Sequence, residues 1–250
     1  MDRTEKCEKK FGKLFGGKPT VSEGSDPEFM RILQRFIFGE VSYTGSLDDR
    51  MRELITITVL TVYQTLPQLK AHTAACLNIG VTPVEIRETV YKCAPFIGFP
   101  KTLNAIAAIN EVFTEKGITL PLENCETVTE SDRYEKGLAL QAPVYGTEIA
   151  ERYEWLPEEF SRAVPRFLTE LCFSDFMTRR GQDEKTSELL TVVMLAAIGG
   201  ADLQLRSHVE GALKVGCTKE EIVCALVCAM PYTGFPRLFN ALNCSKELLS

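Results

Sequence analysis

The chain has 250 residues, 45% hydrophobic and 25% charged, which is long enough to bury a sizeable core without disulfides or a structural metal. Lysine and arginine (28) against aspartate and glutamate (34) leave a net charge of −6, which argues against a nucleic-acid binder. Nine cysteines, an odd number with no CxxC among them, and a charged start (MDRTEKCEKKFGKLFGG) predict buried free thiols in a reducing, cytoplasmic setting. No apolar run approaches the roughly 18 residues that a membrane span needs.

Taken in chain order, Ser25-Asp-Pro-Glu28 reads as a capping box that opens a helix. Leu54 to Tyr63 (LITITVLTVY) is β-branched and, taken alone, suggests a strand. A histidine-bearing segment follows, then Gly80 as a helix stop and Thr82-Pro-Val-Glu85 as a capping box with proline at the favoured first position. That helix is expected to end at Pro95, where PFIGFP turns a tight corner into another helix. Thr119 to Thr127 is polar and contains proline, as a linker would.

The same series then recurs. Residues 68–106 and 204–242 share 14 identities over 39 positions at an offset of 136, and upstream Glu53-Leu-Ile-Thr pairs with Glu188-Leu-Leu-Thr at an offset of 135. The single extra residue falls around Gly199-Gly200-Ala201. The copy of LITITVLTVY is Leu189 to Ile198 (LLTVVMLAAI), which favours helix, so both segments are read as helical. Gly216 and Thr218-Lys-Glu-Glu221 repeat the stop and the capping box, and Pro231 is expected to break the next helix as Pro95 does. The expected fold is all-α, with two tandem helical-bundle modules at residues 1–122 and 123–250.

The series E-L-x-T, Q-L-x-x-H, G-x-T-x-E-I and P-[FY]-x-G-F-P-x-x-x-N-A resembles the carboxymuconolactone decarboxylase family, in its tandem two-module form, over about residues 28–115 and 165–249. The resemblance implies helical modules that associate into hexamer-like rings, with sites near module interfaces that use the motif histidine and glutamate. For a two-module chain it implies a homotrimer mimicking a six-module ring. Decarboxylase-type members act without a cofactor on an unsaturated lactone acid. Alkyl hydroperoxidase D-like relatives instead carry cysteines seven and four residues before the histidine. Here those positions are Thr65 and Gln68 before His72, and Ala201 and Gln204 before His208, so the dithiol has no counterpart.

His72 and His208 are the only histidines, at equivalent repeat positions, with Glu53 and Glu188 lying 19 and 20 residues upstream. They can meet if consecutive helices pack antiparallel, and a carboxylate can then orient the imidazole for proton transfer. Glu53 next to Arg52 could alternatively form an exposed ion pair. Decarboxylation leaves electron density that must be stabilised and then protonated at carbon. Gln68 and Gln204, one turn before each histidine, are candidate donors to the substrate, and Arg206 a candidate carboxylate binder, although a position two residues from the histidine points to a different face and a solvated helix charge is the alternative. No metal is expected, and Cys217, Cys224 and Cys228 are read as structural thiols. Phe99 and Phe235 are expected mainly to pack the core. The second copy is favoured for catalysis because its Gly-Gly turn leaves room beside the helix start. The leading expectation is a cofactor-independent lyase acting on a small carboxylated lactone or related ring acid. A thiol-dependent peroxidase and a non-catalytic small-molecule binder are the alternatives.

Overall fold

The computed structural model describes residues 1–19 and 24–250. The first half comprises α1 (Arg3–Phe15), α2 (Pro27–Gly39), α3 (Asp49–Tyr63), α4 (Leu66–Asn78), α5 (Pro83–Tyr91), the single turn α6 (Ala94–Ile97) and α7 (Phe99–Glu115). The second comprises α8 (Arg133–Tyr145), α9 (Ile149–Arg152), α10 (Glu158–Phe167) continuing into a π-helical stretch (Leu168–Met177), α11 (Glu184–Ile198), α12 (Asp202–Lys214), α13 (Lys219–Thr233), α14 (Phe235–Cys244) and α15 (Lys246–Leu249). No strand occurs among the described residues. None of the described helices is long and apolar enough to cross a membrane.

Both ambiguous segments are helices. LITITVLTVY forms most of α3, capped by Asp48, whose carboxylate accepts from the Met51 N–H. Its copy forms α11, capped in the same way by Asp183 and the Thr186 N–H. Every residue from Leu54 to Val62 is buried, and two of the three threonines turn their hydroxyls back onto the helix: Thr56 and Thr58 donate to the carbonyls of Arg52 and Leu54, while the Thr61 hydroxyl has no partner among the described residues. Burial from two sides overrides the β-branched composition. The capping boxes at Thr82 and Thr218 are both complete, with Gly80 (φ 86°) and Gly216 (φ 94°) in the left-handed conformation before them.

Two local expectations are corrected. Ser25 bonds its neighbour Asp26, and α2 starts at Pro27 without a side-chain cap. Pro231 does not break its helix: α13 runs through it to Thr233 and stops at Gly234 (φ 82°). Proline so near a C-terminus removes only one interior hydrogen bond, whereas Pro95 opens the separate turn α6.

One core spans both halves, with Leu54, Ile57, Ile86 and Ile109 of the first and Leu189, Val193, Ile222 and Leu226 of the second in the same cluster. Central helices α3 and α11 pack on each other, and α3 also packs on α13. Contacts across the junction are reciprocal under the repeat: Arg52 lies on Cys228, and at the equivalent positions Ser187 lies on Lys92. The halves are therefore related by an approximate twofold axis.

Candidate active site

Antiparallel packing of α3 on α4, and of α11 on α12, brings each glutamate to its histidine. His72 Nδ1 lies 2.7 Å from Glu53 Oε2, and His208 Nδ1 lies 2.9 Å from Glu188 Oε2. Glu53 is buried and does not pair with Arg52, whose guanidinium donates to the carbonyls of Val41, Thr44, Gly45 and Leu47. The exposed ion-pair alternative does not hold.

Each imidazole is flanked by two aromatic rings, one from its own half and one from the other. Phe15 and Tyr232 stand edge-on to His72, with centroids at 5.4 and 5.8 Å. Tyr145 and Phe96 flank His208 at 5.0 and 5.9 Å. Phe96 and Tyr232 occupy the same repeat position in the P-[FY]-x-G-F-P corner, so each corner delivers its ring to the opposite half's histidine. Phe15 and Tyr145 also correspond: each ends a 13-residue helix, before Gly16 and Gly146.

The two sites differ where the phenol sits. In the second, the Tyr145 hydroxyl is 2.6 Å from Glu188 Oε2 and 2.7 Å from His208 Nδ1. Burial, and then the Glu188 carboxylate, push the phenol well above its ordinary range, so it is a neutral donor to that carboxylate. A lone pair on His208 Nδ1 would face the carboxylate oxygen. The arrangement therefore requires Nδ1 to carry its proton, leaving Nε2 as the nitrogen available for chemistry. In the first site Phe15 has no hydroxyl, and Tyr232 engages Thr56 instead.

Access differs as well. His72 is enclosed, while His208 is only part-buried. Beside Glu188 and Tyr145 lies a cleft with an apolar wall of Leu140, Val144, Phe173 and Met177, and with Ser187 on its polar side. Its room, about 20 Å³, is that of one water molecule. A roomier cleft of about 420 Å³ lies between the N-termini of α3 and α11, walled by Asp48, Arg50, Asp183 and Lys185; neither cleft is lined by a histidine, and only the smaller one is lined by a histidine's partners.

The remaining sequence candidates fall outside these contacts. Gln68 and Gln204 are exposed one turn before their histidines and, among the described residues, form no hydrogen bond through their side chains. Arg206 is tied to Glu247 at 2.6 Å and to the Cys244 carbonyl. The space expected beside Gly199 is filled, because the Arg237 guanidinium packs where a Cβ would project. Phe99 and Phe235 are both 53% exposed and do not pack the core. Cys217, Cys224 and Cys228 are buried. Tyr145, Phe96, Phe15 and Tyr232 were not singled out from the sequence. The signal for the first and third was R-x-E-K at Arg3 and Arg133, ten residues before Lys13-Leu-Phe-Gly16 and Pro143-Val-Tyr-Gly146 at an offset of 130.

A 4-carboxymuconolactone decarboxylase of Acinetobacter baylyi is 35% identical over 91 residues, 36% of this chain and 68% of that protein. A nitrosuccinic acid decarboxylase of Metarhizium robertsii is 29% identical over 84 residues, 34% of this chain and 59% of the relative. A solved structure from Burkholderia xenovorans, assigned as a gamma-carboxymuconolactone decarboxylase subunit, shares the fold, with a TM-score of 0.54 at 20% identity over 98% of this chain and 97% of that one. The carboxymuconolactone decarboxylase family profile matches residues 27–111 and again 162–247, together more than half of the sequence. The chain therefore belongs to the carboxymuconolactone decarboxylase family, with two modules of that family in tandem.

Proposed function

We propose that the protein is a cofactor-independent decarboxylase-like lyase acting on a small carboxylated lactone or a related ring acid, and that His208, Glu188 and Tyr145 form its working site. The observation that carries this reading is the hydrogen-bonded triangle of phenol, carboxylate and imidazole, of which the phenol and the carboxylate line a cleft. Loss of carbon dioxide leaves an electron pair on the substrate that a proton must quench. His208 delivers that proton through Nε2, Glu188 orients the ring through Nδ1, and the Tyr145 phenol fixes the carboxylate. The decarboxylase names of the two relatives support the reaction class. The cleft has room for about one water, so a ring acid enters only when its walls move apart. The first site, with Phe15 for the phenol and an enclosed His72, contributes less turnover or none.

The dithiol alternative needs a thiolate near the histidine. Burial instead holds the thiols of Cys93, Cys172 and Cys228 up at about 12. We assign the modules to residues 1–122 and 123–250, and the assembly to a trimer presenting six modules. Repeat-equivalent apolar pairs left exposed on this chain, Phe99 with Leu103 and Phe235 with Phe239, support association.

The test is carbon dioxide release from 4-carboxymuconolactone. His208→Ala abolishes it while stability stays within about 1–2 kcal/mol, and His72→Ala costs less activity. Full activity after both replacements refutes the proposal.

A further inference from the structure

A carboxylated substrate needs a cation, and Arg206 is committed elsewhere. The second site has another candidate. Lys92, at the C-terminal end of α5, is 4% exposed. Among the described residues its ammonium makes one hydrogen bond, to the Ser187 hydroxyl, and has no carboxylate at ion-pair distance. Glu88, on the same helix, already accepts from Arg87 and, through both its oxygens, from Arg179. An ammonium offers three donors, and burying one largely unpaired is costly.

The twofold relation shows that this is specific to the second site. At the equivalent positions of the first, Cys228 stands for Lys92 and Arg52 for Ser187. Arg52 spends its donors on four backbone carbonyls, so that cation is satisfied by the protein itself. Ser187 lines the cleft that Glu188 and Tyr145 share, and its hydroxyl is the link between Lys92 and that space.

We propose that Lys92, supplied by the first half, is the carboxylate anchor of the second site, with the substrate carboxylate seated against Ser187 and accepting from the ammonium. The inference rests on Glu188 and His208 being the working pair. Burial lowers the proton affinity of Lys92 to about 8, Glu88, Asp183 and Glu188 oppose that fall, and Arg179 adds to it, so the side chain still carries its charge at neutral pH. A bound carboxylate provides the partner that the folded chain does not.

The test uses succinate, a small dicarboxylate, titrated calorimetrically into the full chain at pH 7 with ionic strength held constant by chloride. Lys92→Met weakens binding about tenfold or more, the scale of a charge-assisted hydrogen bond, while Arg206→Met stays within roughly twofold of the parent. Ser187→Val, which blocks the ammonium from the cleft, weakens binding likewise and keeps the test decisive if Lys92→Met folds poorly. Parent-like affinity in either cleft variant, loss in Arg206→Met, or no succinate binding by the parent overturns the proposal. Succinate binding without carbon dioxide release from 4-carboxymuconolactone sinks the lyase reading and leaves the anchor standing.

Discussion

A lysine kept buried without an ion-pair partner lowers the stability of the chain that holds it, and the amount can be worked out. Lys92 falls from an ordinary 10.5 to about 8, chiefly through burial. At roughly 1.4 kcal/mol per tenfold change in proton affinity, that gap corresponds to ~3 kcal/mol of destabilisation while the group is charged. Lys92→Met keeps the length and volume of the side chain and removes the charge. It also removes the bond to Ser187, about 1 kcal/mol, although Ser187 still donates to the Asp183 carbonyl. The variant is therefore more stable than the parent by ~2 kcal/mol at pH 7. The sign of the pH dependence follows from a folded value lower than the unfolded one. Between about 8 and 10.5 the unfolded chain holds a proton that the folded chain has released, so the parent gains stability as pH rises. The advantage of Lys92→Met is complete below pH 8 and shrinks through that window. Urea denaturation of both proteins at pH 7 and pH 9.5 measures it. A variant no more stable than the parent at pH 7, or an advantage that does not shrink by pH 9.5, refutes the reasoning.

Tyr145→Phe lowers kcat about 10- to 100-fold with little change in KM, because it removes a donor fixed on the reacting pair, whereas Phe15→Tyr leaves steady-state kinetics unchanged. Thr82→Ala and Thr218→Ala each cost ~1 kcal/mol in urea titrations, since each capping hydroxyl serves an N–H that is otherwise unpaired within its helix. Light scattering at micromolar concentration reports roughly 84 kDa, three chains of 27.9 kDa, and replacing Phe235 and Phe239 by serine yields a smaller species; a parent that runs as a monomer defeats the trimer.

The helices were legible in the sequence because their punctuation is local: threonine with glutamate three residues on, and glycine just before. The pairing of each glutamate with its histidine was legible because only an antiparallel helix pair can close a spacing of 19 or 20 residues. What stayed hidden depends on direction rather than position. In the G-F-P corner the sequence drew attention to Phe99 and Phe235, but the rings on the imidazoles are Phe96 and Tyr232, three residues earlier. Which of the two faces inward is set by the other half of the chain. Lys92 is unmarked in the sequence for a similar reason, since the second repeat supplies the residue, Ser187, that it bonds.

The crossing of Phe96 and Tyr232 makes each half a structural component of the other's imidazole pocket. Cutting the chain between α7 and α8 would not yield one intact pocket and one broken one. It would unmake both, and restoring either requires the two fragments to find each other again. A change at 96 is felt at 208, and a change at 232 is felt at 72. The phenol that stands at Tyr145 in one site and at Tyr232 in the other is thus an asymmetry of the pair, and neither half alone displays it.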